Sequence, residues 1–335
     1  MKALAPLAML LMAILLVSTP SFAFGSSSHP FISQWGESGI GTAGHFLNPQ
    51  AAAVDSDGNV YVTDLGNMRV QKFDNHGNFL NAWGSSGSGA GQFKSPIGIA
   101  VYDNFVYVVD SQLNKIQKFD SDGNFISQWG VQGDDPSEFL LPNGIATGFN
   151  GTVYVVDTGN HRIQSFTSDG DFITEFGASG VTDDTFISPI GITVDSEENI
   201  YVSDSGSTSI KKFSSDGEFL EIFDSSVGGS PIRAQGLQSD PEGNLYVADS
   251  NNDRILRLNP QGSAIAVWGS MGMNPGQFKM PKDVTLDNNG NLFVVDSNGH
   301  RIQKFATPLE IITPEPEVVE EETQTTETVT QNNLP

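Results

Sequence analysis

The sequence predicts an all-β fold: a six-bladed β-propeller of four-stranded antiparallel blades, with the last blade closed by the N-terminal strand. The first observation is a motif of two apolar residues, one variable residue and an aspartate, which recurs six times along the chain. Successive copies are 46, 47, 47, 45 and 47 residues apart. The second observation is that each unit contains several short β-type segments separated by turn residues. A period of this length favours repeated sheets over one irregular core. The aligned aspartates are Asp64, Asp110, Asp157, Asp204, Asp249 and Asp296.

Each repeat contains four strand-like segments, which the second copy shows most clearly. Pro96 to Val101 is an apolar run behind a proline and predicts the innermost strand, and Phe105 to Asp110 predicts the second. The third, Lys115 to Phe119, alternates apolar and polar residues, and the fourth is Phe125 to Gly130. The Asp-Ser-Asp-Gly-Asn segment between the last two is a hairpin signal, because glycine adopts positive φ readily.

Two series of aromatic residues recur at constant positions and predict contacts between blades. One precedes the proline of each inner strand by three residues, and the other ends the fourth strand. Aromatic side chains bury a large area and fill the widening space between twisted sheets. The first series is Phe46, Phe93, Phe139, Phe186 and Phe278, and the second is Trp35, Trp83, Trp129, Phe176, Phe223 and Trp268. The fifth inter-blade stretch, Ser225 to Ala234, is shorter, has no phenylalanine, and has Ala234 in place of the strand-opening proline, which predicts a local irregularity.

The sixth repeat lacks a fourth strand, since the chain after Phe305 continues as Ala-Thr-Pro. A matching segment stands alone near the start: residues 31–36 are identical to residues 125–130. The N-terminal segment is therefore predicted to supply the outer strand of the sixth blade, which would otherwise leave an unpaired edge.

The chain ends differ in composition from the repeats and predict three segments. Residues 1–23 read as a signal peptide: Lys2 precedes an apolar stretch from Leu4 to Val17, and Ser21-Phe22-Ala23 is a small-x-small cleavage site. Residues 24–307 form the propeller. Residues 308–335 are predicted to be a disordered acidic tail, because they hold many Glu and Thr and few large apolar residues. We expect a secreted or cell-surface protein, with no membrane span after cleavage and no disulfide, because Cys is absent.

The repeats resemble the NHL repeat, in which such strands are followed by an Asn-His-Leu-type segment. Asn160-His161-Arg162-Ile163 matches it best, and Gly299-His300-Arg301-Ile302 is close. The resemblance spans residues 31–305 and implies a six-bladed propeller. It implies no single function, since the family includes RNA binders, protein binders and a lyase. In that lyase, metal-binding histidines follow the proline of the inner strand, and none of the six matching positions here is histidine.

Other candidate sites have structural interpretations. The repeated aspartates are predicted to bind turn N–H groups. The loops at Asp55, Asp120 and Asp287 resemble calcium loops, but without the terminal Glu and helices of an EF-hand they are interpreted as hairpin turns. We therefore predict no metal site, no catalytic residue and no cofactor. The formal net charge of −24 argues against nucleic acid as a partner, because phosphate binding depends on Lys and Arg clusters.

The best candidate ligand site is the channel rim, where the inner strands begin. At the position after the strand-opening proline, or after Ala234 in the fifth blade, four blades carry polar residues with mixed donors and acceptors: Gln50, Asn143, Gln235 and Lys282. A water-filled channel mouth without a ligand is the alternative. Our functional hypothesis is a monomeric, non-catalytic scaffold that binds a protein, peptide or glycan. The alternative is an enzyme, a metal-assisted lyase or hydrolase with its site at the channel mouth.

Overall fold

The computed structural model describes residues 29–224, 226–227 and 230–306. In these ranges six four-stranded antiparallel sheets form the blades, and the only helices are three single 3₁₀ turns, Leu65–Asn67, Thr158–Asn160 and Ser250–Asn252. Each inner strand contacts the inner strands of the two neighbouring blades, including the first and the last, so the ring is closed. The predicted fold class is confirmed. The predicted signal peptide and the whole of the predicted tail lie outside the described residues.

The strands of the first five blades follow one another along the chain. Blade 1 consists of β2 (Pro49–Val54), β3 (Val60–Asp64), β4 (Arg69–Phe73) and β5 (Phe79–Trp83). Blade 2 consists of β6 (Pro96–Tyr102), β7 (Phe105–Asp110), β8 (Lys115–Asp120) and β9 (Phe125–Trp129). Blade 3 consists of β12 (Ile145–Thr147), β13 (Val153–Asp157), β14 (Arg162–Phe166) and β15 (Phe172–Phe176).

Blade 4 consists of β16 (Pro189–Val194), β17 (Ile200–Asp204), β18 (Ser209–Phe213) and β19 (Phe219–Asp224). Blade 5 consists of β22 (Ala234–Ser239), β23 (Leu245–Asp249), β24 (Arg254–Leu258) and β25 (Ala264–Trp268). Blade 6 consists of β26 (Pro281–Leu286), β27 (Leu292–Asp296), β28 (Arg301–Phe305) and, from the other end of the chain, β1 (Phe31–Trp35).

The inter-blade loops hold short pairings of their own. Strands β10 (Val131–Gln132) and β11 (Glu138–Phe139) pair in parallel, and four other loops contain an equivalent single parallel bridge. The loop before blade 5 differs, as its sequence predicted. There β20 (Ser226–Val227) and β21 (Ser230–Pro231) pair antiparallel, and Ile232 is buried in the apolar cluster between blades 4 and 5.

The core is divided into six apolar clusters, each lying between two adjacent blades. In the cluster that joins blades 6 and 1, Phe46 is fully buried against Val295 and Phe73, and the Trp35 ring packs on Phe73. Every residue of β3 is buried, because the second strand of each blade is covered by a neighbouring sheet on both faces. The predicted role of both aromatic series between blades is confirmed.

The N-terminal strand closes blade 6 as predicted. Strand β1 pairs antiparallel with β28, and the Ala306 N–H donates to the Pro30 carbonyl at 2.8 Å. In other blade interfaces a hairpin glycine lies against the aromatic residue of the preceding blade, as Gly77 does with Trp35. Blade 6 has no hairpin at this point, and His29 takes the position, stacked on Trp268 with ring centroids 4.2 Å apart.

No helix in the described part of the chain is long and apolar enough to span a bilayer.

Candidate ligand site at the channel mouth

The upper face of the ring carries the inter-blade loops and the turns between second and third strands. The repeated aspartates organise this face. Asp157, fully buried, accepts hydrogen bonds from the Leu140 N–H in the preceding loop at 2.8 Å and from Asn160 Nδ2 at 2.8 Å. It also pairs with Arg162 Nε at 2.9 Å. Each aspartate therefore connects the preceding inter-blade loop to the turn between the second and third strands. The predicted structural role concerned the turn alone, and the structure adds the contact with the loop.

The basic residue that pairs with the repeated aspartate differs between blades, but an ammonium or guanidinium group lies near the carboxylate in each of the following cases. Equivalent ion pairs join Asp64 to Arg69 and Asp296 to Arg301. In blade 4 serine replaces the arginine, and the buried Lys211, two residues further on, places its ammonium 3.7 Å from Asp204. A cation from another position thus partly compensates the buried carboxylate charge.

Each of these loops leads into an inner strand near the axis of the ring. The first residues of the inner strands surround one cavity. The four residues predicted from the sequence all line this cavity, which has a volume of about 110 Å³. We call it the upper cavity; Gln50, Asn143, Gln235 and Lys282 are its polar rim, and Ile97 and Ile190 fill the remaining two blades. Strand β12 begins only at Ile145, yet the Asn143 N–H still donates to the Val156 carbonyl at 2.9 Å, so blade 3 keeps its register.

Two of the rim side chains contact each other across a blade interface. Lys282 Nζ donates to Gln235 Oε1 at 3.2 Å, and burial lowers the pKa of Lys282. Gln50 is held by its own loop, since its Nε2 donates to the Asn48 carbonyl at 3.0 Å. The rim therefore combines amide groups with one partly desolvated ammonium.

Asp283 belongs to the site but was not among the residues predicted from the sequence. Asp283 lies next to Lys282 on β26 and lines the upper cavity, with Oδ2 accepting the Ala52 N–H of blade 1 at 3.0 Å. Burial raises its pKa to about 7, although the N–H groups of Ala52 and Val284 act in the opposite direction. The signal was present in the repeats: the other five blades have Gly or Ala at this position.

Those small residues mark where the inner strands come closest. A methyl group added to Gly191 would overlap the carbonyl oxygen of Gln235 in the next blade, and one added to Gly236 would overlap Asp283. Beyond this point a ring of apolar side chains separates the upper cavity from a larger lower cavity of about 410 Å³. The residues that line both cavities are Ile99, Ile145, Ile192, Leu237 and Asp283.

The loops that resemble calcium loops use their carboxylates internally. Asp55 Oδ1 accepts the N–H groups of Asp57 and Asn59, and Oδ2 accepts the Tyr61 hydroxyl at 2.9 Å. Within the ranges that the structure describes, no group of three His, Asp or Glu residues is arranged to hold a metal ion. His161 and His300 are half-buried and both adopt left-handed backbone conformations in the turns of blades 3 and 6.

Comparison with known families agrees with the repeat pattern. The model of the NHL repeat matches residues 46–73 and 278–305, and a model described as a 6-bladed beta-propeller matches residues 93–165. This chain is an NHL-repeat six-bladed β-propeller. No curated protein matches the sequence significantly.

Solved structures with similar folds include enzymes and an uncharacterised protein. Virginiamycin B lyase from Staphylococcus aureus shares 16% identity, with 77% of this chain and 80% of that chain covered and a TM-score of 0.57. A gluconolactonase from Xanthomonas campestris shares 15% identity over 78% and 87% of the two chains, with a TM-score of 0.60. A Bacteroides thetaiotaomicron protein of unknown function shares 18% identity over 82% and 76%, with a TM-score of 0.62. At these identities the likeness extends to the fold alone.

Proposed function

We propose that this propeller is an exported, non-catalytic scaffold that binds a protein, peptide or glycan at the upper cavity. The observation that carries the proposal is the convergence of Gln50, Asn143, Gln235 and Lys282 on one cavity. Four different blades contribute these side chains: Gln50, Gln235 and Lys282 lie on inner strands, and Asn143 directly precedes the inner strand of blade 3. Concave sites with a few placed polar groups above an apolar floor are typical of ligand sites.

Charge and chain ends support the remaining parts of the proposal. The net charge of −24 disfavours nucleic acid as the partner. The apolar stretch and small-x-small site before residue 24 support export to the cell surface or beyond. We propose that the exported chain acts as a monomer.

The scaffold proposal is tested with arrays of defined peptides and glycans, probed with residues 24–306. A variant with alanine at Gln50, Asn143, Gln235 and Lys282 is expected to lose binding to the peptides or glycans that the wild type binds. The matched control carries Gln238→Ala and Asn288→Ala in the lower cavity and is expected to keep them. Equal binding by the rim variant and the wild type, with both folded by circular dichroism, would remove the rim from the proposal.

A second candidate is an enzyme, and Asp283 is the observation that favours it. A carboxyl group with a pKa of about 7, beside Lys282 in a cavity, is suited to proton transfer near neutral pH. A lyase or hydrolase using this pair would share its fold with the lyase and the gluconolactonase described above. Lactone hydrolysis followed in a pH-stat, with and without added divalent cations, tests it. Turnover that survives in Asp283→Asn would contradict this role.

A further inference from the structure

Lys282 is half-buried and differs in its surroundings from the buried arginines Arg69, Arg162 and Arg301. Arg69, Arg162 and Arg301 each lie within 3.0 Å of a fully buried aspartate, so their charges are matched inside the fold. The ammonium of Lys282 faces the upper cavity and contacts an amide oxygen, that of Gln235, and it forms no ion pair among the described residues. A partly desolvated cation without a counter-charge favours binding of an anion.

The groups around Lys282 define the kind of anion. Because Gln235 Oε1 accepts a hydrogen bond from Lys282, the amide Nε2 of Gln235 remains a donor. The Asn143 amide lines the same cavity from blade 3, on the opposite side of the ring from blade 6. An ammonium with two further N–H donors matches the two oxygens of a carboxylate. A single cation balances one negative charge, and a doubly charged phosphate would leave one charge unmatched in the cavity.

Asp283 couples this site to pH. The ionisable groups that line the two cavities are Lys282 and Asp283 above, and Asp103 and Tyr102 in the lower cavity, below the apolar ring. Because burial raises the pKa of Asp283 to about 7, the group is partly protonated at neutral pH and then adds an O–H donor instead of a repelling charge. A bound anion favours the protonated form, so binding weakens as pH rises through 7.

We propose that the upper cavity binds a carboxylate, supplied by a peptide or by an acidic sugar, between Lys282, the amides of Gln235 and Asn143, and the carboxyl group of Asp283. The proposal rests on the proposed function, in that it names the chemical group which the rim binds. A peptide C-terminus and a uronic acid present the same group, and the experiment separates these two sources.

The experiment follows backbone amide chemical shifts of residues 24–306 during titration at pH 6 and pH 8. The probes are galacturonic acid and N-acetylglycine, each compared with its uncharged methyl ester. We expect the free acids to shift rim amides and to bind at least about tenfold more tightly than the esters, the equivalent of one lost charge contact. Preference for one acid over the other identifies the source.

Variants then assign the roles of the two charged groups. Lys282→Met is expected to weaken acid binding about tenfold, while Lys94→Met, an exposed lysine in an inter-blade loop of the same face, leaves it unchanged. Asp283→Asn keeps a donor without charge and is expected to make binding equal at pH 6 and pH 8. An unchanged affinity in Lys282→Met, or a pH dependence that persists in Asp283→Asn, overturns the proposal.

Failure of this inference is distinguishable from failure of the proposed function. If acids and esters bind with equal affinity and the rim alanine variant binds neither, the rim is a binding site that does not select for a carboxylate. In that case only the carboxylate proposal is wrong. If no probe shifts a rim amide and the arrays also show no rim-dependent binding, both proposals fall.

Discussion

At the residue scale, the repeated aspartate shows how one side chain organises a whole face. Asp157 is fully buried and accepts bonds from a loop N–H, an asparagine, an arginine and, at 3.2 Å, Gln164 Nε2. The repeat made its structural role predictable. Its bond to the preceding loop was not predictable, since Leu140 is 17 residues away in the chain and meets Asp157 only in the folded blade.

Replacing this aspartate tests that role. Asp157→Ala removes the buried counter-charge of Arg162, which keeps only the partly exposed Glu175 at 2.9 Å. We therefore expect the free energy of unfolding to fall by about 3 kcal/mol, the low end of the range for a broken buried pair. The control is Asp169→Ala, whose carboxylate also pairs with a buried cation, Lys118, but is 82% exposed. It is expected to cost no more than about 1 kcal/mol. Equal losses in urea unfolding of the two variants would contradict the assignment.

At the element scale, the N-terminal strand replaces the one strand that the sixth repeat lacks. Its position was predictable because residues 31–36 repeat the fourth strand of blade 2. The contact of His29 with Trp268 was not predictable from any repeat. In the other interfaces a glycine backbone covers the aromatic ring, whereas here a second ring is stacked on it.

Removing and regrafting this strand tests closure. Deletion of residues 24–36 exposes the edge of β28 and removes Trp35 from the interface with blade 1. We expect the free energy of unfolding to fall by about 3–5 kcal/mol. For a domain of this size, that corresponds to a decrease in Tm of about 6–20 °C. Differential scanning calorimetry measures the change. In the matched variant, residues 31–36 are moved to follow Phe305 through the Asp-Ser-Asp-Gly-Asn turn of blade 2. This graft is expected to recover most of the lost Tm, and an unchanged Tm in the deletion variant would refute closure.

At the scale of the whole molecule, the approach of six inner strands to one axis sets the shape of the channel. Small residues line the narrowest part because each inner strand lies against the backbone of the next. Asp283 interrupts this series at the seam between blades 6 and 1, where it bonds to Ala52 and faces both cavities. The interface between the last and the first blade therefore holds an ionisable group at a position where the other five blades have Gly or Ala.

The narrow channel predicts a specific sensitivity to added volume. Gly191→Ala places a methyl group on the Gln235 carbonyl and forces adjacent blades apart, at a cost of about 1–3 kcal/mol. The control, Gly89→Ala, lies in an exposed loop where the nearest neighbour is the movable end of the Gln92 side chain. It is expected to leave Tm within error. A Gly191→Ala protein as stable as the wild type would mean that the inner strands are less tightly apposed.

The sequence by itself determined the number of blades, their strand order, the aromatic residues between them and the closing strand. Each of these follows from a pattern that recurs locally at a constant period, so comparison of one repeat with another reveals it. The sequence also indicated the four rim residues, because they share one position in the repeat, directly after the strand-opening proline or, in blade 5, after Ala234. Only the tertiary structure decided the contact of Lys282 with Gln235, the enclosure of Asp283 and the position of His29. These depend on distances between blades that are far apart in the chain, and burial rather than residue type sets the charge state of Asp283.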